Sequence, residues 1–210
     1  MAAACATGPS WTSAPAEPGE SVAVSQVNAG YLTDYARLVP SPTTPGLLMW
    51  RNLQTPPARI FIRPVEIWDG GVGSPRKDDC PYVADALVRA VRLMLSENIE
   101  IAAAPGPGVH ELRLALTRAG TAPRRFQRDR SVLGRRTGPI GHATRDFVRS
   151  ASLEAELVAP EGGAVVAAVM DRRAVDELPK GQAQSWEDLL HAFSLWGARL
   201  RAVFLSAPSV

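Results

Sequence analysis

The stretch Ser152–Asp171, SLEAELVAPEGGAVVAAVMD, decides the fold. Leu153, Ala155 and Leu157 alternate with Ser152, Glu154 and Glu156, the two-residue period of a strand with one apolar face. Pro160-Glu161-Gly162-Gly163 supplies turn residues, and AVVAAVMD returns as a second strand. Such a hairpin pairs its strands antiparallel.

Downstream, Ser185 and Asp188 form a capping-box-like pair. Leu189, Phe193, Trp196, Leu200 and Phe204 follow at helical spacing, a wide aromatic face that needs something flat to pack on. Upstream, Leu112, Leu114 and Leu116 alternate with Glu111, Arg113, Ala115 and Thr117. Before them, Ile99–Ala103 reads as a short strand and Ala104–Val109, APGPGV, as a stiff turn.

Further back, Asp78 or Asp79 can cap a helix that tolerates Pro81 in its first turn and runs to about Glu97. Val83, Leu87, Val91 and Leu95 give it one apolar stripe. From Arg59, RIFIRPVEIW sets Ile60 and Ile62 against Phe61 and Arg63, a strand lying near an edge or bulged at Pro64, which cannot donate a ladder hydrogen bond. The order β-α-β-β-β-β-α predicts an α+β fold, a mainly antiparallel sheet of about five strands covered by two helices. One domain over residues 29–206 is expected.

Composition narrows the function classes. With 46% hydrophobic and 21% charged residues the chain can bury a core, and a formal charge of +2 creates no global field for nucleic acid or an anionic membrane. No apolar run approaches the roughly 20 residues that span a bilayer.

The start, MAAACATGPSWTSAPAEPGE, lacks periodic apolar residues, so residues 1–28 are expected to be a disordered tether. A cysteine after three alanines is similar to the remnant of a lipobox, which makes Cys5 the candidate site of lipid attachment and a membrane anchor. The basic and apolar regions of a signal peptide are absent and Ala2 stands where such motifs usually carry Leu, which points to a start that is trimmed or misassigned.

Several segments together resemble bacterial lipoproteins catalogued as domain of unknown function 3313. They are Ala29–Leu38, AGYLTDYARL; Ala104–Val109, APGPGV; Leu153–Leu157, LEAEL; Ala168–Arg173, AVMDRR; and Ser185–Leu200, SWEDLLHAFSLWGARL. The resemblance implies an envelope protein with a signal peptide and a lipidated cysteine. It implies no catalytic residues.

The strongest local charge feature is Thr121–Gly138, where Arg124, Arg125, Arg128, Arg130, Arg135 and Arg136 face a single Asp129. Arginines bind phosphates and carboxylates bidentately, so this segment is either a solvated connection or a site for an anionic ligand such as a polyanionic lipid. Tyr31, Tyr35 and Trp50 can line a ligand groove or strap an extended segment to the domain, and the strap is favoured. Asp171, Arg172 and Arg173 read as an ion pair or turn contact more readily than as a site.

His110, His142 and His191 fall on separate elements without metal-ligand spacing. Cys80, near a helix N-terminus, is read as a structural thiol rather than a reactive one. DGGVGSPRK lacks phosphate-loop spacing, and there is no GxSxG. No metal or cofactor is expected. The reading is a non-enzymatic binding or scaffolding lipoprotein at the periplasmic face of the outer membrane, with an envelope protein or polyanionic lipid as partner. The alternative is a cytosolic nucleic-acid-binding protein that uses residues 121–138.

Overall fold

The alternation along Ser152–Val158 sorts the protein into two layers. Leu153, Ala155 and Leu157 join the main core, whereas Glu154 and Glu156 lie on the opposite face. A computed structural model describes residues 5–7, 30–69, 80–118, 151–171 and 186–206. In chain order the strands are β1 Cys5–Thr7, β2 Val39–Pro40, β3 Leu47–Arg51, β4 Arg59–Ile62 and β5 Glu66–Asp69. Helix α1, Cys80–Leu95, comes next, followed by β6 Glu100–Ile101, β7 His110–Arg118, β8 Ala151–Val158, β9 Val165–Asp171 and helix α2, Trp186–Leu205.

The strands form one sheet in the order β1-β5-β7-β8-β9-β3-β2, with β4 paired to both β7 and β6. The β8–β9 hairpin is antiparallel as expected, pairing Leu153 with Asp171 and Leu157 with Ala167. Its turn closes through Ala159 N donating to Ala164 O at 2.8 Å, and Gly162 and Gly163 supply the left-handed backbone at φ 73° and 66°.

The fold is α+β with two helices among the described residues, but the sheet is mixed and larger than the expected five-stranded, mainly antiparallel one. Strands β4 and β5 run parallel to β7 because the chain crosses over through α1 between them and re-enters in the same direction. Ile99–Ala103 and the strand after APGPGV do not pair with each other. Instead β4 lies between β6 and β7, and the stiff Pro105–Pro107 loop carries the chain across it.

Leu47–Arg51, which carries Trp50, pairs along all of its length with β9. Its apolar run LLMWR, without alternation and bracketed by prolines, does not announce a strand. Cys5–Thr7, within the segment read as a tether, pairs parallel with Ile67–Asp69 and satisfies the edge of β5.

Pro64 has the effect read from the sequence. Between the pairs Ile62↔Leu112 and Glu66↔Ala115 one side advances four residues and the other three, a one-residue bulge that divides β4 from β5. Helix α1 starts one or two residues after its expected caps, which lie outside the described residues, and it buries Val83, Leu87, Val91 and Leu95 completely. It packs on α2, where a Cβ at Gly197 would come within 2.9 Å of Met94 Cγ and 3.2 Å of the Ala90 carbonyl. Both helices cover one face of the sheet, with Phe193 stacked on Trp196 at 5.5 Å between ring centroids.

Candidate functional site

On the face of the sheet opposite the helices, β9 presents Ala168 and Met170 and β3 presents Leu48 and Trp50. Residues 30–38 cross this face as a strap. Leu32, Tyr35 and Leu38 form a small second core with Ala168 and Met170, flanked by Tyr31, Leu48 and Trp50. Arg37 lies 4.8 Å from the Trp50 ring centroid and pairs with Asp34 at 3.0 Å. The strap reading of Tyr31 and Tyr35 matches this arrangement, while Trp50 belongs to the sheet beneath them.

Under the strap sit two glutamates of the central strand, 0% and 3% exposed. Tyr35 Oη donates to Glu154 Oε2 at 2.5 Å, and Thr117 Oγ1 donates to Glu154 Oε1 at 2.7 Å. Tyr35 Oη also accepts from the amides of Tyr31 and Leu32, at 3.0 and 3.1 Å. The Thr33 amide donates to Glu156 Oε1, and Arg113 Nη1 lies 3.9 Å from Glu156 Oε2. Burying a carboxylate is costly unless donors replace its water, and here they come from the strap on one side and β7 on the other.

Burial, then the hydrogen bond and charge of Glu154, push the Tyr35 hydroxyl well above the ordinary tyrosine range. Burial, then the charges of Glu66 and Glu156, do the same to Tyr31. Both phenols are therefore held neutral. Tyr31 meets Trp68 edge-on at 5.8 Å, and Trp68 Nε1 donates to Glu66. Ser152 Oγ, on the same strand as the glutamates, is buried without a hydrogen-bond partner among the described residues.

On the helix face, Arg199 Nη1 of α2 pairs with Asp171 Oδ2 at 2.5 Å, both residues buried. Asp171 thus pairs with Arg199, a partner the sequence did not nominate. Arg172 and Arg173 lie outside the described residues, as do Arg124, Arg125, Arg128, Arg130, Arg135, Arg136 and His142. Cys5 opens β1, Cys80 opens α1 and His191 lies in α2. His110 Nδ1 is buried without a partner among the described residues, and burial pushes its imidazole below the ordinary histidine range. Among those residues no three His, Cys, Asp or Glu side chains gather as metal ligands.

The sequence pattern gave Glu154 and Glu156 no role, because alternation on a strand ordinarily sends the polar set to solvent. The available signal was Tyr31 and Tyr35, whose four-residue spacing outside any regular element left their aromatic surface in need of a covering face.

Residues 28–200 match the model of a family described as a protein of unknown function, DUF3313. The chain belongs to the DUF3313 family. Two segments that carried the resemblance, AGYLTDYARL and LEAEL, meet at the Tyr35–Glu154 bond. Two others, AVMDRR and SWEDLLHAFSLWGARL, meet at the Asp171–Arg199 pair.

This DUF3313 chain is similar to the PelC dodecamer structures from Paraburkholderia phytofirmans, at 14% and 13% identity in two crystal forms. Each likeness has a TM-score of 0.38 and covers 78% of this chain and 98% of that one. It is also similar to protein XCC0632 from Xanthomonas campestris, of the DUF330 family, at 14% identity and a TM-score of 0.30, over 77% of this chain and 86% of that one. No curated protein matches the sequence.

Proposed function

We propose that this DUF3313 chain is a non-catalytic binding or scaffolding protein of the bacterial cell envelope. In this reading a lipid on Cys5 holds it at the periplasmic face of the outer membrane, and its partner is an envelope protein or a polyanionic lipid. The observation that supports the non-catalytic part of this reading is the use made of the buried carboxylates. Glu154 and Glu156 fasten the strap to the sheet, and Asp171 fastens α2 to it. Groups of the kind that serve as acids and bases in hydrolases act here as architecture.

The anchor is supported by the three alanines before Cys5 and by the lipoproteins that the family segments resemble. No helix among the described residues is long and apolar enough to cross a membrane. The arginines of residues 121–138 support a second reading, a cytosolic nucleic-acid-binding protein.

Expression of the gene with its natural upstream region in a Gram-negative host, followed by the intact mass of the N-terminal fragment, tests the proposal. A mature chain beginning at an acylated Cys5 supports the envelope reading. An unmodified soluble chain beginning at Met1 or Ala2 rejects it and favours the second.

A further inference from the structure

We infer that the surface this chain turns to the membrane is the β1–β5 edge of its sheet, where the anchor is built into the fold with no tether between lipid and domain. This rests on the envelope reading of Cys5 and names the face that meets the phospholipid.

The first support is register. Cys5, Ala6 and Thr7 pair parallel with Ile67, Trp68 and Asp69, so Cys5 stands opposite Ile67 at one inter-strand spacing, about 4.8 Å. A free leader from Cys5 to Asn28 would instead hold the domain about 25–30 Å from its anchor on average. A lipid on a residue that is itself in the sheet leaves no such distance. Strand β5 reaches the headgroups wherever Cys5 does.

The second support is where the anchor emerges. Strands β1 and β5 run in the same direction, so Cys5 lies toward the start of β5. That end follows the bulge at Pro64, where Arg63 and Pro64 are both exposed. Arg63 pairs with Glu111 at 3.0 Å, and its long stem lets the charged head stay in the polar layer while β5 approaches the acyl boundary.

The third support is the aromatic pair beside β1. Trp68, the register partner of Ala6, is half-buried, with its indole N–H donating to Glu66 at 3.0 Å and its ring edge-on to Tyr31 at 5.8 Å. Side chains with an apolar body and a polar tip favour the membrane interface. Net positive charge plays no part, because Arg63 is matched by Glu111 and the exposed Glu66 lies close by. The contact should therefore form on zwitterionic lipid and persist at high salt, unlike one made by the arginines of residues 121–138.

The test uses the lipidated full chain, made with its natural upstream region and checked by intact mass, in phosphatidylcholine vesicles with and without brominated acyl chains. Trp68 emission, taken as the difference between this chain and its Trp68→Phe variant, should be quenched by the brominated lipid, equally at low and high salt. A spacer of about ten glycine and serine residues between Cys5 and Ala6, which moves the anchor about 17 Å away, should abolish the quenching and leave acylation intact. In an acylated chain, Trp68 emission that is indifferent to brominated lipid, or quenching that disappears at high salt, overturns the inference and leaves the envelope reading standing. Quenching that survives the spacer also overturns it, since the face would then find the membrane without the anchor. A mass showing no acyl group rejects the envelope reading, and this inference with it.

Discussion

Arg199 and Asp171, 28 residues apart, close a buried ion pair at 2.5 Å that ties α2 to the last residue of β9. Desolvating two charges is expensive, so the pair is worth most as a position marker. Removing one partner takes a buried countercharge from the other. Arg199→Met should therefore cost about 3–5 kcal/mol in urea unfolding, and adding Asp171→Leu should recover much of the loss. The exposed pair Arg59–Glu100, at 3.0 Å, provides the contrast. Glu100→Ala should shift stability by no more than about 1 kcal/mol.

At the crossing of the helices, Gly197 lets α1 approach so closely that an added Cβ would stand 2.9 Å from Met94 Cγ. Gly197→Ala gains up to about 1 kcal/mol of helix propensity but overpacks the contact at about 1–3 kcal/mol. A net loss of stability is expected. Met94→Ala in the same chain removes the nearer obstruction, so the double variant should be more stable than the sum of the two single changes, a non-additivity that thermal unfolding will read.

The two strap tyrosines make a prediction at alkaline pH. Their native ionisation lies above the ordinary value near 10, so the unfolded chain gives up protons before the native one does. Their stabilising contribution is fully present below about pH 10 and is lost as pH rises above it. Denaturation midpoints should fall above pH 10, and the fall should be shallower in both Tyr31→Phe and Tyr35→Phe. At neutral pH, Tyr35→Phe should cost about 1–3 kcal/mol, because two amides and Glu154 lose a partner together.

The elements with a clean period were legible in the sequence. Leu153–Leu157 and its return strand, the Val83–Leu95 stripe and the Phe193–Phe204 face all stand where their spacing places them. Pairing was less legible, since strand direction depends on where the chain re-enters the sheet. The crossover through α1 makes β5 and β7 parallel, and alternation at Leu112, Leu114 and Leu116 carries no such information. The strapped face was half legible. Tyr31 and Tyr35 indicated a strap, but its attachment points are 119 residues away at Glu154 and 123 away at Glu156, and local pattern cannot show contacts at such separation.

The arginine segment bears on the choice of partner. Arg124, Arg125, Arg135 and Arg136 replaced together by alanine should weaken binding to vesicles containing anionic lipid, measured by sedimentation, if a polyanionic lipid is the partner. The unsubstituted chain should show little affinity for single-stranded RNA at 150 mM salt under the same reading. Under the cytosolic alternative the order reverses. RNA binding would be lost in the fourfold variant, and log K would fall against log salt with a slope of about −0.7 for each phosphate neutralised. Urea unfolding of the fourfold variant should show little change in either case if these arginines serve the partner. A large loss of stability would instead place these arginines among the residues that hold the fold.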